Sequence, residues 1–168
     1  MGPGQGAVAL PLSLTFFEGR ILDIRRATRE ELQTVNKLLL SNDLAKLPAS
    51  PSLANVLLGL EEDSIVGVVA LDVVARFGLT RWLVVDQEHR GQELGKSLVR
   101  GLVTRGQELG LRELYALPGG ARKFLEGLGF RELNENELPR EVRMLASYPS
   151  DDPQADSTIL RMGLETRV

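Results

Sequence analysis

The sequence has no cysteine and a single histidine, and these two scarcities exclude several kinds of chemistry. Without cysteine, the chain forms no disulfide bond and offers neither a thiolate nucleophile nor an acyl-cysteine intermediate. One histidine, His89, is too few for the usual structural or catalytic zinc sites, so we expect no metal. A cysteine-free chain also fits the reducing cytoplasm, which we take as the expected location.

Long apolar runs and an excess of positive charge are also missing. The apolar stretch at residues 6–17 is shorter than the ~20 residues that span a bilayer. Neither a preceding Lys or Arg nor a small-residue cleavage site marks it as a signal peptide. The net charge of -3 provides no attraction for nucleic acid or an anionic membrane surface. We therefore expect neither nucleic acid nor a membrane as a partner.

The length and composition suit one globular domain. A chain of 168 residues can bury a sizeable core, and 43% hydrophobic with 26% charged residues is ordinary for a soluble protein. We expect residues 1–20 to be an N-terminal extension, partly disordered or contributing an extra strand at 12–17. Residues 21–168 then form the domain.

From residue 21 onward, the sequence alternates between the periodicities of strands and helices. Residues 21–27 predict a strand, and Thr28 with Glu31 predicts a capping box that opens a helix. Two apolar runs, "SIVGVVALDVVA" and "LTRWLVVD", joined by "RFG", predict a hairpin. A helix with leucines on one face follows and ends at Gly110.

The last third of the chain continues this alternation. We expect strands at 111–117 and 158–165 and a short helix between them, ended by Gly129. Pro139 begins a further short helix, with Val142 facing inward. Interleaved strands and helices with a hairpin predict a mixed α/β sheet. In the short helix that Gly129 ends, the side chains expected to face inward are Ala121, Phe124, Leu125 and Leu128.

The stretch "RGQELGKS", residues 90–97, has the context of an anion site. It ends like a nucleotide-binding P-loop, but Gly91 and Gly95 enclose three residues where a P-loop requires four. A strand runs into this stretch and a helix leaves it, and free N–H groups at a helix N-terminus hold phosphate or pyrophosphate. The spacing alone leaves two interpretations, an anion site or a junction with glycines for packing.

The longer stretch "LVVDQEHRGQELGKSLV", residues 83–99, resembles the acetyl-CoA-binding signature of the GNAT acyltransferase superfamily. That signature follows a strand ending in Leu-x-Val with Gln or Arg, two residues, Gly, one residue, and Gly or Ala. "ARKFLEGLGF", residues 121–130, is similar to the second landmark, a short helix ending in Gly-Phe. Four segments, "LTRWLVVD", "LYAL", "LGFREL" and "ELPREVRM", are similar to amino-acid N-acetyltransferases of the N-acetylglutamate synthase and arsenic-resistance type.

This resemblance, which spans residues 21–164, implies a fold and an activity. The fold is a single GNAT-like domain with a mixed, mostly antiparallel sheet flanked by helices, in which the fourth and fifth strands splay apart. The activity is the transfer of an acetyl group from acetyl-CoA to the amine of a small molecule, with an amino acid as a candidate, by direct attack. The resemblance also implies that the protein forms homodimers.

The resemblance also assigns residues to the cofactor. The backbone of Leu83 and Val85 is expected to pair with the pantetheine arm, and an N–H near Val84 or Val85 to polarise the thioester carbonyl. Phe124 is expected to contact the cofactor as well. The residues assigned to the pyrophosphate are Arg90, Gly91, Gln92, Glu93, Leu94, Gly95, Lys96 and Ser97.

Two positions depart from the superfamily pattern. Glu93 stands where the signature has glycine, and a carboxylate that faces the pyrophosphate region repels it. Leu125 stands where a tyrosine often protonates the leaving thiolate, and leucine cannot donate a proton. The departures leave open a second interpretation, a GNAT module that binds acyl-CoA as a sensor or regulator with weak turnover. A third interpretation is a nucleotide-binding protein that uses the Gly-Lys-Ser sequence. The spacing of Gly91 and Gly95 disfavours it, because a P-loop requires one more residue between them.

The acid and the base for the reaction have separate candidates. Tyr148, in the stretch before the last strand, is a candidate acid, whereas Tyr115 lies mid-strand and is expected to pack in the core. Asp72 is the candidate base, because an acidic residue in an apolar strand can take a proton from an amine.

Asp72 is also expected to have a basic neighbour. With a turn centred on Arg76-Phe77, Asp72 stands opposite Arg81, on the sheet face that also carries Leu83 and Val85. One interpretation is a cross-strand ion pair. The other is a substrate site, in which Arg81 binds a carboxylate through a bidentate fork and Asp72 acts on the amine.

Overall fold

The structure, a computed structural model, describes residues 13–17, 19–44, 46–47, 53–89, 93–118, 121–145 and 158–165. Eight β-strands and four α-helices lie in this part of the chain. The strands are β1 (Ser13–Phe17), β2 (Arg20–Arg26), β3 (Val56–Glu61), β4 (Ser64–Val74), β5 (Phe77–Val85), β6 (Glu113–Ala116), β7 (Arg131–Leu133) and β8 (Ile159–Gly163). The helices are α1 (Leu32–Ser41), α2 (Leu94–Glu108), α3 (Arg122–Gly127) and α4 (Arg140–Arg143).

The strands form one sheet in the order β1-β2-β3-β4-β5-β6-β8-β7. The pairs β1–β2, β2–β3, β6–β8 and β7–β8 are antiparallel, whereas β5 and β6 are parallel. The predicted mixed, mostly antiparallel α/β sheet is therefore confirmed. Because β1 adds one strand at the start, the fourth and fifth strands of the superfamily pattern correspond to β5 and β6.

Strands β5 and β6 pair over only part of their length. Their register runs from Phe77 opposite Glu113 to Thr80 opposite Ala116. Beyond its last paired residue, β5 continues to Val85. The pairing ends at the last residue of β6, and the splay that the superfamily pattern implies stays a prediction.

The chain divides into two compact units. The first contains Met1–Val69 and Trp82–Gly101, and the second contains Ala70–Arg81 and Leu102–Val168. Strands β4 and β5 and helix α2 therefore contribute one part to each unit.

The first unit is built on the packing of α2 against β3 and β4. Every residue of β3 is buried, and so are the leucines that α2 turns toward the sheet. A Cβ atom on Gly59 would lie 2.9 Å from Leu94 Cδ1, and one on Gly67 would lie 3.0 Å from Leu98 Cδ1. Glycine at these positions allows the helix to approach the sheet closely, which positions the first turn of α2.

A polar network closes the start of α1 in the same unit. The guanidinium of Arg25 donates two hydrogen bonds to the carboxylate of Glu31, at 2.7 and 2.6 Å. The backbone N–H and the hydroxyl of Thr28 donate to the same carboxylate at 3.0 and 2.9 Å. The predicted pairing of Thr28 with Glu31 is confirmed, and it opens a turn of 3-10 helix that leads into α1. The hydrogen bonds from Arg25, partly opposed by burial, lower the pKa of Glu31 to about 2.

We expect Glu31→Gln to lower the free energy of unfolding at pH 7 by about 2 kcal/mol, because it removes charge-assisted hydrogen bonds from a partly buried pair. The lowered pKa means that wild-type Glu31 stabilises the fold above its ordinary pKa near 4.5, and that this contribution is lost as the pH falls toward 2. Urea unfolding at pH 7 and pH 3 should therefore show the two proteins converging in acid. Glu30→Gln, at the exposed neighbouring position, is the matched control, and an equal loss in both variants would contradict the prediction.

The second unit has its own core between strands and the short helix α4. Phe77 packs edge-to-face on Tyr115, with 6.1 Å between the ring centroids. The predicted short helix after Pro139 is α4, and Val142 on it is buried as expected. The core residues are Leu79, Tyr115, Leu133, Leu138, Val142 and Ile159.

Two helices in this unit end at glycines, as predicted. Gly110 has a φ of 72° and Gly129 a φ of 108°, in the left-handed region that glycine adopts without steric cost. The N–H of Gly110 donates to Gln107 O, and the next N–H, of Leu111, donates to Gly106 O. The same pair of hydrogen bonds closes α3 around Gly129. Both ends are Schellman motifs, so the chain is redirected into β6 and β7 at positions that the sequence marks.

The predicted inward face of α3 is partly wrong. Leu125 is 2% exposed, with Ala121 and Leu128 half-buried beside it, but Phe124 is 37% exposed. Residues 121, 125 and 128 are four and three positions apart and share one face, whereas position 124 is rotated by about 100° from position 125. A helix as short as α3 buries one narrow stripe, and Phe124 lies outside it.

Candidate functional site

The end of β5 carries the first group of predicted cofactor residues. Val84 is buried, and Leu83 and Val85 are half-buried. Trp82, directly before them, has a φ of 51°. A positive φ is rare for a bulky residue, costs on the order of 1–3 kcal/mol and interrupts the regular pleat of a strand. The alternation used to place Asp72 and Arg81 on the face of Leu83 and Val85 therefore does not extend past Trp82.

A short turn connects β5 to α2. The N–H of Asp86 donates to Val66 O at 2.7 Å, which holds the end of β5 on β4, and a turn of 3-10 helix follows at Gln87–His89. Arg90, Gly91 and Gln92 lie outside the described residues. The assignment of these three residues to the pyrophosphate remains a prediction.

The first turn of α2 has the features of an anion site. The N–H of Ser97 donates to Glu93 O at 3.0 Å. The N–H groups of Leu94, Gly95 and Lys96 precede this bond and have no partner within the helix. They lie at the positive end of the helix dipole, where anions are stabilised. The backbone of α2 thus offers the donors that the sequence predicts for a pyrophosphate.

Glu93 pairs with a lysine of the same turn. Its Oε1 lies 3.7 Å from Lys96 Nζ, and both side chains are partly exposed. The ion pair offsets the negative charge that Glu93 brings to the start of α2. The departure from glycine at this position is therefore accompanied by a local counter-charge.

Asp72 and Arg81 form an ion pair in the second unit. Arg81 Nη1 donates to Asp72 Oδ2 at 3.2 Å, and the two side chains are 28% and 35% exposed respectively. The expected turn was wrong by one residue, because β4 ends at Val74 and β5 begins at Phe77. Counted from this turn, Asp72 is a diagonal rather than a direct neighbour of Arg81, and the long arginine side chain bridges the extra distance.

Tyr115 and Leu125 both lie in the core. Tyr115 is fully buried, as predicted, and its hydroxyl donates to the carboxylate of Glu113. Burial, followed by the hydrogen bond to Glu113, raises the pKa of Tyr115 well above its usual range. Tyr115 is therefore a poor acid, and Leu125 occupies a buried position in place of the usual tyrosine. Tyr148 lies outside the described residues.

Within the described ranges, no group of three or more His, Asp or Glu side chains is arranged to hold a metal ion. None of the helices in the same ranges combines the length and the hydropathy needed to cross a membrane.

Comparison with known proteins agrees with this geometry. Residues 53–132, which include the end of β5 and the start of α2, match the family described as the acetyltransferase (GNAT) domain. No curated protein matches the chain in sequence. Solved structures that it resembles are 15–21% identical to it in sequence, so their likeness concerns the fold.

Three of these structures show the range of the likeness. N-acetylglutamate synthase from Neisseria gonorrhoeae, crystallised with coenzyme A and L-arginine, has a TM-score of 0.69 at 20% identity, over 86% of this chain and 33% of that one. A Mycobacterium tuberculosis protein in complex with CoA has a TM-score of 0.68 at 19% identity, over 84% and 99%. The ribosomal-protein-S18-alanine N-acetyltransferase from Escherichia coli has 0.62 at 15% identity, over 88% and 96%. The chain thus spans about a third of the synthase.

The chain has the GNAT fold, and residues 53–132 match the acetyltransferase domain of that superfamily. The resemblance seen at residues 83–99 and 121–130 is confirmed. The structures from Neisseria gonorrhoeae and Mycobacterium tuberculosis each contain coenzyme A.

Proposed function

We propose that the protein transfers an acetyl group from acetyl-CoA to the amine of a small molecule, with an amino acid as the first candidate. The observation that carries this proposal is the path from the end of β5 into the first turn of α2, within the residues that match the GNAT domain. A strand that leads toward a helix N-terminus suits an extended cofactor with an anionic pyrophosphate. A homodimer and a cytoplasmic location stay predictions.

The cofactor is assigned to backbone groups on both sides of the turn. Leu83 and Val85 hold the pantetheine arm, and an N–H near Val84 or Val85 polarises the thioester carbonyl. The N–H groups at the start of α2, with Arg90 to Gln92 before them, hold the pyrophosphate. The assignment of Phe124 to the cofactor rests on the resemblance of residues 121–130 alone.

The reaction needs no nucleophile from the protein. The neutral amine attacks the carbonyl carbon of the thioester, a carbon–nitrogen bond forms, and the carbon–sulfur bond breaks. The coenzyme A thiolate leaves with the electron pair of that bond and takes a proton. Solvent is the proposed donor of this proton if Tyr148 does not provide it, because Leu125 and Tyr115 cannot.

The acceptor site is assigned to the ion pair of the second unit. Arg81 binds a carboxylate of the acceptor, and Asp72 receives the proton of its amine. Partial exposure of both side chains supports this role, because a ligand can reach them. The likeness to a synthase named for N-acetylglutamate supports an acidic amino acid as the acceptor.

A second candidate function is a GNAT module that binds acyl-CoA as a sensor, with weak turnover. The burial of Leu125 at the position of the usual proton donor favours it. The two candidates share the cofactor site and differ in the rate of thiol release.

We expect calorimetric titration of the purified protein to show micromolar binding of acetyl-CoA and no binding of ATP. Release of free thiol is then measured with glutamate and other amino acids. Turnover identifies the acetyltransferase, whereas tight binding without turnover on any amine identifies the sensor. Failure to bind acetyl-CoA would overturn both, and binding of ATP in its place would favour a nucleotide site.

A further inference from the structure

The single histidine lies between two carboxylates. Its Nε2 is 2.9 Å from Oε2 of Glu61, the last residue of β3, and its Nδ1 is 3.4 Å from Oδ2 of Asp86, at the end of β5. Both distances are within the range of an ion pair, but neither contact has the geometry of a regular hydrogen bond. All three residues belong to the first unit. His89 therefore connects the end of β3 to the turn that precedes α2.

The burial of Glu61 gives this contact its importance. Glu61 is 8% exposed at the end of a strand that is otherwise apolar. A buried carboxylate is costly unless a charge or hydrogen-bond donor compensates it, and the imidazole of His89 is placed to do so. The backbone N–H of His89 also donates to Asp86 O at 2.8 Å, so both the ring and the backbone of this residue are held.

The start of α2 is held by the same strand. Gly59 lies two residues before Glu61 and so shares its face of β3. Leu94, the first residue of α2, packs directly over Gly59, with no room for a Cβ atom between them. The face of β3 that carries Gly59 and Glu61 thus contacts two residues close together in sequence, His89 and Leu94.

We propose that Glu61 and His89 are positioning residues for the coenzyme A pyrophosphate. The Glu61–His89 contact keeps the N–H groups at the start of α2 in register with β3. The imidazole also separates the negative charges of Glu61 and Asp86 beside an anion site. This inference rests on the proposed acetyl-CoA-dependent function, and it assigns no proton transfer to either residue.

The proposal is tested with four variants and two acyl donors. His89→Leu removes the contact, His89→Gln keeps a donor toward Glu61, and Glu61→Gln removes the buried charge. Glu88→Gln makes the same charge change at an exposed neighbour and is the matched control. Binding of acetyl-CoA is measured by calorimetry, and steady-state kinetics are compared between acetyl-CoA and S-acetylpantetheine, which lacks the pyrophosphate.

We expect His89→Leu and Glu61→Gln to raise the Kd and KM for acetyl-CoA by about tenfold, which is ~1.4 kcal/mol. The kcat at saturating acetyl-CoA stays within about twofold, because the contact acts on binding and not on the acyl carbon. His89→Gln recovers most of the affinity, and Glu88→Gln has none of the effect. The kcat/KM with S-acetylpantetheine is unchanged in all four variants, which a general loss of structure would not produce.

Combining Glu61→Gln with His89→Leu should weaken binding no further than either change alone, because the two residues act through one contact. Thermal unfolding identifies a variant that does not fold, and Glu61→Gln, which keeps the size of the side chain, then carries the test. Wild-type protein that does not bind acetyl-CoA overturns the proposed function itself. Wild-type protein that binds, with variants that bind equally well or lose S-acetylpantetheine turnover in parallel, overturns the positioning role alone.

Discussion

Replacing Arg81 with leucine is expected to raise the KM for an acidic amino acid by about 100-fold and to leave the Kd for acetyl-CoA unchanged. The guanidinium is the group proposed to bind the acceptor carboxylate, and hydrogen bonds between charged groups contribute about 1.5–3 kcal/mol. About 2.7 kcal/mol corresponds to the 100-fold change. Steady-state kinetics with glutamate, at saturating acetyl-CoA, measure the effect.

The alternative for this pair is a purely structural contact between β4 and β5. Asp72→Asn separates the two roles, because loss of a base lowers kcat more than it raises KM. Arg105→Leu is the matched control, since Arg105 also pairs with a carboxylate, that of Glu108 at 3.5 Å. If Arg81→Leu and Asp72→Asn lower only the unfolding free energy and leave the acceptor kinetics as in wild type, the acceptor site lies elsewhere.

Replacing Gly78 with valine is expected to lower the free energy of unfolding by about 3 kcal/mol, the upper part of the usual range for overpacking a core. A Cβ atom at this position would lie 2.6 Å from Leu71 Cδ1, 3.0 Å from Leu114 Cδ2 and 3.1 Å from Leu111 Cδ1. Those three leucines are buried, so they cannot move aside without disturbing the second unit. Urea unfolding at 25 °C measures the loss.

Gly163→Val is the control for this substitution. Gly163 also lies in a strand, β8, but a Cβ atom there meets nothing within 4 Å. Valine favours extended backbone, so this change should leave the stability unchanged or raise it slightly. Equal destabilisation by both valines would show that the loss of glycine, and not the crowding by leucines, is responsible.

Features encoded in short windows of sequence were predictable. Glu31 is three residues from Thr28, and Gly110 and Gly129 each stand two residues after the last residue of the helix that they end, so each signal and its effect lie within one turn of chain. The hairpin of β4 and β5 and the leucine face of α2 follow from periodicity in the same way. The expectation of an anion site at the start of α2 rests in the same way on the order strand, turn and helix, and it stays a prediction.

Residues 124 and 125 mark the limit of local patterns. Both are apolar, and periodicity in so short a helix permits either to face the core. Only packing selects Leu125 for burial and leaves Phe124 exposed. The hairpin turn differs from the expected one by a single residue for a similar reason, because several neighbouring residues are compatible with a turn and the pairing of whole strands decides between them.

The sequence by itself determined the class of fold, the place of the cofactor signature and the absence of cysteine chemistry, because each depends on residue type and local order. The tertiary structure alone decided that His89 meets Glu61, that Gly59 lies under Leu94, and that Trp82 has a positive φ. Glu61 is far from His89 along the chain, and their contact forms only when β3 and β5 are both assembled into the sheet, with β4 between them. Contacts of that kind follow from the packing of whole elements, which no short window of sequence contains.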